Sequence, residues 1–196
     1  MVRTRSLPVP RSGQSGLMSP VARRHVIVSG CSGGGKSTLL AALDRAGYRV
    51  VTEPGRRIVE AEMQGTGAAL PWIDLEAFAR RAVEMALRDR AGVQDDGSWV
   101  FFDRGLIDAS VALEHAAGIS LSDSLAGAAP FHRTVFMAPP WPELYRNDAA
   151  RQHGFDAAVD EYHRLCAAYD RLNYRLVHLP KTSVRERAAF VLDTLG

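Results

Sequence analysis

The nine residues GCSGGGKST, which span residues 30–38, constrain the fold more than any other part of the sequence. Gly30, four further residues and then Gly-Lys-Ser form the pattern of the phosphate-binding loop, in which backbone N–H groups surround the phosphates of a nucleotide. The motif requires a strand before it and a helix after it. The sequence supplies both, because HVIVS (25–29) is typical of a buried strand and STLLAALDRA (37–46) of a helix.

Each residue type in this loop has an expected task. Glycines let the backbone approach the phosphate oxygens closely, Lys36 would reach the β- and γ-phosphates, and the Ser37 hydroxyl would ligate Mg²⁺. The free N–H groups of the following helix would favour an anion. The alternative is a flexible glycine turn that matches by chance, which the flanking strand and helix argue against. The predicted ATP-binding residues are Gly30, Ser32, Gly33, Gly34, Gly35, Lys36, Ser37 and Thr38.

The length and composition indicate one domain. A chain of 196 residues that is 46% hydrophobic can bury one good core but is short for two domains. We assign this domain to residues 24–196. Residues 1–23 are rich in Ser, Pro, Gly and Arg and contain no acidic residue, which predicts a disordered basic tail. A transit peptide and a translation start at Met18 are the alternatives for this segment.

Several classes of protein are disfavoured. The formal net charge of +2 gives no support for a nucleic-acid partner, because the excess lies in the first 24 residues. No run of about 18 apolar residues occurs, so we expect no membrane span. Cys31 lies in the phosphate loop and Cys166 on a helical face, which does not fit a disulfide framework. These features are typical of a protein in the reducing cytoplasm.

Short apolar runs alternate with helical periodicity along the rest of the chain. The predicted strands are residues 25–29, 48–52, 98–103, 133–137 and 174–179. Two helical stripes are predicted core faces: Leu75, Phe78, Ala82, Met85 and Ala86, and then Val159, Tyr162, Leu165, Cys166, Tyr169 and Leu172. Ser183 and Glu186 have capping-box spacing at the start of the last helix. Strands joined by helices predict an α/β fold, a five-stranded parallel sheet with helices on both faces.

Charged residues follow the second and third predicted strands. Ligands bind outside the carboxyl ends of the strands in such sheets. Glu53 follows the second strand, and Asp103 and Arg104 end the third. A carboxylate at this edge can hold the water shell of Mg²⁺ or accept the proton of a substrate hydroxyl. The alternatives are an acid at a helix N-terminus for Glu53, a helix cap for Asp103 and a surface position for Arg104.

The segment APPWPELYRNDAARQHGF, residues 138–155, interrupts the helical periodicity after the fourth strand. It carries Arg146 and Arg151 among polar residues. A mobile segment at this point would close over a nucleotide and neutralise the charge that develops on a transferred phosphoryl group. The alternative is a solvated loop whose arginines pair with Asp148 and Asp156.

The order of five segments resembles a known family. GCSGGGKST, TEPGRRIVE, FFDRGLIDA, PPWPELYRNDAARQ and YRLVHLPKTSVRERAAFVL are similar to the AAA-domain predicted-ATPase family of P-loop proteins, which includes the nicotinamide riboside kinase domain of NadR. The resemblance covers roughly residues 24 to 195. It implies a three-layer P-loop kinase fold in which the third strand is the immediate neighbour of the first.

The resemblance also implies roles for individual residues. Similar strand ends in deoxynucleoside kinases imply that Glu53 is the candidate base and that Asp103 holds Mg²⁺ or a substrate hydroxyl. Arg104 would contact substrate or phosphate, and Arg146 and Arg151 would belong to the lid. Membership in this family does not identify an acceptor, because a fold supports many functions.

Three functional classes follow from these features. The first is a small-molecule kinase that moves the ATP γ-phosphoryl group to a hydroxyl of a nucleoside-like or other small acceptor. The second is an ATP- or GTP-hydrolysing regulatory switch that acts through a partner protein. The third is a nucleotide-binding module without turnover, which the charged residues at the sheet edge argue against. Oligomeric AAA+ machinery is disfavoured, because the 17 residues after the last predicted strand cannot build a helical lid domain.

Overall fold

The computed structural model describes residues 24–145 and 154–196. The predicted basic tail, residues 1–23, and the predicted lid arginines Arg146 and Arg151 lie outside the described residues, so these assignments stay predictions. The described elements are β1 His25–Gly30, α1 Lys36–Arg45, β2 Arg49–Val51, α2 Pro54–Gln64, α3 Leu75–Ala91, β3 Val100–Asp103, α4 Leu106–Ala117, α5 Leu121–Leu125, β4 Thr134–Ala138, α6 Phe155–Arg171, β5 Arg175–His178 and α7 Val184–Leu195.

The five strands form a parallel sheet in the order β2-β3-β1-β4-β5. This order confirms the predicted five-stranded parallel sheet and the predicted pairing of the first and third strands. In that pair Val28 lies opposite Asp103, and on the other side of β1 Gly30 lies opposite Ala138. The inner strands β1, β3 and β4 are buried along their whole length. Strands covered on both faces are continuous apolar runs in sequence, which explains why they were predictable.

Helices cover both faces of the sheet, as predicted. Successive residues of a strand point to opposite faces. Val26 and Val28 of β1 therefore join a buried cluster with Leu39 of α1 and Val191 of α7. Ile27 joins the other cluster, which includes residues of α3, α4 and α6. None of the helices in the described ranges is long and apolar enough to cross a membrane.

The predicted core stripes hold with two corrections: Val159 of α6 is only half-buried and belongs to neither buried cluster, and Leu75 of α3 is exposed. Ala82 and Ala86 of α3 and Tyr162 of α6 are buried, as expected. Leu75 is 39% exposed and does not belong to the core. It is the first residue of α3 and, like Phe78 one turn later, it lines a cavity. The apolar residues of α3 therefore line a cavity at the start of the helix and pack in the core further along it.

The predicted capping box at the start of α7 is confirmed. The Ser183 hydroxyl accepts a hydrogen bond from the Glu186 backbone N–H at 3.3 Å, and the Glu186 carboxylate accepts one from the Ser183 N–H at 3.1 Å. Two otherwise unsatisfied N–H groups are thus satisfied reciprocally, which fixes where α7 begins. The next residue, Arg187, lies in the first turn of α7 and contacts the phosphate loop.

Candidate active site

The glycine-rich sequence forms the turn between β1 and α1. Gly30, Gly33 and Gly35 have φ angles of 119°, 77° and 78°. These angles lie in the left-handed region that favours glycine. A β-carbon on Gly30 would also lie 2.3 Å from the carbonyl oxygen of Ala138, so no side chain fits between the loop and β4. The loop thus has the strand-loop-helix setting of the motif, and its backbone conformation depends on glycine.

Lys36 lies inside this loop. It is only 6% exposed, and its Nζ donates hydrogen bonds to the carbonyl oxygens of Cys31 at 2.8 Å and Gly30 at 3.4 Å. Burial lowers the pKa of its ammonium, Arg104 lowers it further, and Asp103 opposes both. Ser37 and Thr38 follow at the exposed first turn of α1. A bound anion could replace the loop carbonyls as the partner of the ammonium.

Asp103 ends β3 next to the loop. The residue is 8% exposed, and its Oδ1 has no hydrogen-bond partner within the described residues. Burial, followed by the charge of Glu53, raises its pKa from the usual 3.8 to about 6, against the opposing charges of Lys36 and Arg104. The helix-cap alternative is excluded, because the N-cap of α4 is Gly105 and no side chain caps this helix. Asp103 is therefore a buried carboxylate with an unused oxygen at the edge of the loop.

Arg104 is the centre of a cluster of carboxylates. Its guanidinium Nη1 lies 2.9 Å from Glu161 and 3.5 Å from Asp108, and its Nε lies 3.3 Å from Glu53. The backbone of Arg104 has φ 60°, which is uncommon for a residue other than glycine. Burial lowers the pKa of the guanidinium, but the carboxylates of Glu161, Glu53 and Asp108 outweigh burial and raise it. The surface-arginine alternative is therefore wrong.

Asp108 anchors this cluster to the sheet. The Ser29 hydroxyl of β1 donates a hydrogen bond to its Oδ1, and the Tyr169 hydroxyl of α6 donates one to its Oδ2 at 2.6 Å. Burial raises the pKa of Asp108, and the charge of Arg104 with these two hydrogen bonds opposes that rise. Asp108 and Glu161 were not predicted as site residues from the sequence. The signal for Asp108 was an acid inside the otherwise apolar start of α4.

A cavity of ≈ 570 Å³ adjoins the phosphate loop. Ser32 of the loop and the charged side chains of Glu53 and Arg104 line it at that end, while Trp72 and Phe78 belong to its apolar walls. Its volume lies within the roughly 300–1,000 Å³ of small-molecule sites, which are typically apolar with a few placed polar groups. The cavity can therefore hold a small molecule beside the phosphates of a nucleotide.

Glu53 lies where this cavity meets the sheet edge. It occupies the N-cap position of α2, where a negative charge is favoured by the helix dipole, but its side chain makes no capping hydrogen bond. A β-carbon on the next-but-one residue, Gly55, would lie 3.6 Å from Glu53 Oε1 and 3.1 Å from the Phe78 ring. Glycine at this position lets α3 approach the start of α2. The Glu53 carboxylate is left in the cavity wall beside Arg104.

The environment of Asp103 leads to a prediction about stability. Because its pKa is raised on folding, its ionised form destabilises the folded protein at pH values above about 6, and this penalty disappears as the pH falls toward 3.8. We expect Asp103→Asn to raise the free energy of unfolding of the nucleotide-free protein by up to about 3 kcal/mol at pH 8. Chemical denaturation at pH 8 and pH 4.5 measures this change.

The gain from Asp103→Asn should shrink at pH 4.5, where the native carboxyl is already protonated. Asp160→Asn is the matched control, because Asp160 is exposed on α6. It should change stability little at either pH. A loss of stability in Asp103→Asn at pH 8 would contradict the assignment of Asp103 as a costly, functionally placed carboxylate.

Comparisons with known proteins agree with this architecture. A family model described as an AAA domain matches residues 25–187. The thymidylate kinase from Ehrlichia chaffeensis aligns with a TM-score of 0.57 and 14% identity, over 88% of this chain and 98% of that one. The deoxyadenosine kinase from M. mycoides with bound dATP has a TM-score of 0.54 and 14% identity, with the same coverage of 88% and 98%.

Shikimate kinase from Acinetobacter baumannii in complex with shikimate has a TM-score of 0.54 and 15% identity, over 88% of this chain and 92% of that one. These likenesses show that the chain has the fold of P-loop kinases. No curated protein matches the sequence. Because the family model spans the phosphate loop, all five strands and the residues of the carboxylate cluster, the chain belongs to the AAA-domain family of P-loop proteins.

Proposed function

We propose that this protein is a small-molecule kinase that transfers the γ-phosphoryl group of ATP to a hydroxyl of a nucleoside-like or other small acceptor. The observation that carries the proposal is the ≈ 570 Å³ cavity that starts at Ser32 of the phosphate loop and has Glu53 and Arg104 at that end. A hydrolytic switch needs room for water beside the phosphates, whereas a kinase needs room for a second substrate. The solved structures of deoxyadenosine kinase with dATP and shikimate kinase with shikimate support the same reading by analogy.

The phosphate loop would hold the donor. Its backbone N–H groups and Lys36 would bind the phosphates, with Lys36 exchanging its carbonyl partners for phosphate oxygens. Ser37 and Asp103 would hold Mg²⁺. They fit this ion, because Asp103 Oδ1 is a buried oxygen without a partner and Mg²⁺ typically binds one or two protein oxygens together with substrate phosphates. When bound, the ion would neutralise charge on the phosphates.

Glu53 would act as the base. As the acceptor oxygen forms its bond to the γ-phosphorus, the bond from that phosphorus to the bridging oxygen breaks and ADP leaves. The proton of the acceptor hydroxyl goes to the Glu53 carboxylate. Arg104, 3.3 Å from Glu53 Oε1, holds this carboxylate at the cavity end near the loop. Arg104 would also contact substrate or phosphate, since it lines the same cavity.

The experiment is ADP formation from Mg-ATP over a panel of nucleosides, sugars and vitamins. We expect ADP to form only with a suitable acceptor, in equal amount to the phosphorylated acceptor. Ala112→Phe is the test variant, because Ala112 is half-buried in the cavity wall and a larger side chain there would fill acceptor space. This variant should lose acceptor-dependent turnover and keep Mg-ATP affinity. Acceptor-independent ATP hydrolysis at the same rate in both proteins would instead indicate a hydrolytic switch.

A further inference from the structure

We infer that Arg187 of α7 is a positioning residue of the nucleotide site. It orients the phosphate loop through its contact with Gly35, and the phosphates of the bound nucleotide balance its charge. This inference rests on the nucleotide-binding part of the proposed function and is independent of the acceptor. The sequence assigned no role to Arg187, which is 152 positions away from Gly35 along the chain.

The guanidinium of Arg187 spans the junction between the loop and α1. Its Nη1 donates a hydrogen bond to the carbonyl oxygen of Gly35 at 3.1 Å, and its Nη2 lies 3.5 Å from Thr38 Oγ1. A β-carbon on Gly35 would lie 2.8 Å from Nη1, so glycine is needed for this approach. Arg187 therefore contacts the loop on both sides of Lys36.

The contact with Gly35 orients a group that binds phosphate. Because a peptide unit is planar and trans, the Gly35 carbonyl and the Lys36 N–H point in opposite directions. The Gly35 carbonyl also accepts hydrogen bonds from Thr38 Oγ1 at 2.9 Å and from the Leu39 N–H at 3.3 Å, so α1 and α7 hold it together. Held in this way, it directs the Lys36 N–H away from the Arg187 guanidinium, toward the side on which the motif surrounds phosphate. A charged donor on the carbonyl also polarises the peptide and strengthens its N–H as a donor.

The charge of Arg187 is not balanced within the described part of the chain. The residue is 2% exposed, none of the described carboxylates forms an ion pair with it, and its Nε has no hydrogen-bond partner there. Burial lowers the pKa of this guanidinium. A buried charge without an opposite charge costs free energy. An anion at the loop, beside the exposed Thr38, would supply the missing charge.

The Arg187 guanidinium also packs over the Trp141 indole. The Arg187 Cζ lies 5.5 Å from the centroid of the Trp141 indole, a distance at which a cation is attracted to an aromatic face. Trp141 follows β4, and Tyr145 of the same segment lies against Gly33, where a β-carbon would be 2.7 Å from the Tyr145 ring. The segment after β4 and the helix α7 therefore enclose the loop together. The fluorescence of the Trp141 indole should therefore respond to a change in the position of the Arg187 guanidinium.

These contacts predict an effect on affinity more than on rate. An interaction made equally with the bound nucleotide and with the transition state changes KM and leaves kcat largely unchanged. We expect Arg187→Met to weaken Mg-ATP binding about 10- to 100-fold, which is typical for loss of a charged hydrogen-bond donor. Arg187→Lys, which keeps the charge but not the planar fork, should recover part of this loss.

The experiment measures Mg-ATP affinity by calorimetry and nucleotide-dependent fluorescence of Trp141 in a protein in which Trp72 and Trp99 are replaced by phenylalanine. Arg185→Met is the matched control, since Arg185 is exposed on the same helix turn and should leave affinity unchanged. Mg-ATP should change the emission of Trp141 in the parent protein and not in Arg187→Met.

Stability separates a positioning role from a purely structural one. Without nucleotide, Arg187→Met should unfold at the same or higher denaturant concentration, because an unbalanced buried charge has been removed. If Arg187→Met is destabilised and binds Mg-ATP like the parent protein, Arg187 is only structural and the inference is wrong. If the parent protein itself fails to bind Mg-ATP, the proposed nucleotide site fails instead, so the two outcomes are distinguishable.

Discussion

Glu53→Gln is expected to leave Mg-ATP binding nearly intact and to cut phosphoryl transfer by a factor of about 10² to 10⁴, the range for loss of a general base. Glutamine keeps the size of the side chain and cannot take a proton. The Glu53 carboxylate lines the cavity at the end of β2, one strand further from the phosphate loop than Asp103. It should therefore meet the acceptor and not the metal ion.

The measurement pairs calorimetric Mg-ATP affinity with single-turnover transfer. Loss of one carboxylate leaves Arg104 with Asp108 and Glu161, so the cluster should survive the substitution. Glu60→Gln is the matched control, because Glu60 is exposed on the same helix, α2, and should change neither quantity.

Asp103→Asn should behave differently from Glu53→Gln. Its carboxylate ends the strand that pairs directly with β1, and β1 leads into Lys36 and Ser37. A carboxylate engaged with a dication is a poor proton acceptor. We expect Asp103→Asn to weaken the Mg²⁺ dependence and transfer together. If Glu53→Gln loses Mg-ATP affinity while Asp103→Asn keeps it, the two assignments are reversed and Asp103 is the better candidate for the base.

The sequence was sufficient to predict the sheet edge on which this site lies. The three central residues of 25–29 are Val, Ile and Val because β1 is buried on both faces, and this apolar run can be recognised in the sequence alone. Parallel strands then bring Glu53 and Asp103 to one edge, since all carboxyl ends of such strands meet there. The positions of these two residues were therefore predictable from chain order alone.

The partners supplied by helices were not predictable in the same way. Three charged residues reach the site only because of how their helices are rotated about their own axes when they pack against the sheet. They are Asp108, Glu161 and Arg187. A charged residue on a helix is usually solvated, so its type and spacing give no sign of burial. Similarly, Leu75 and Phe78 have the periodicity of a core face, and that periodicity is the same whether the helix packs on a core or borders a cavity.

Lys36→Ala is expected to abolish productive binding of Mg-ATP while the fold stays intact. The Lys36 ammonium is held inside the phosphate loop by the carbonyls of Cys31 and Gly30, in position to meet the outer phosphates. At a nucleotide concentration 100 times Kd the parent protein should gain about 2.7 kcal/mol of stability, and Lys36→Ala at the same concentration should gain almost none. Lys181→Ala is the matched control, since Lys181 is the other lysine of the chain and is exposed. Nucleotide-dependent thermal stabilisation and turnover that are the same in Lys36→Ala as in the parent would show that the loop does not bind phosphate.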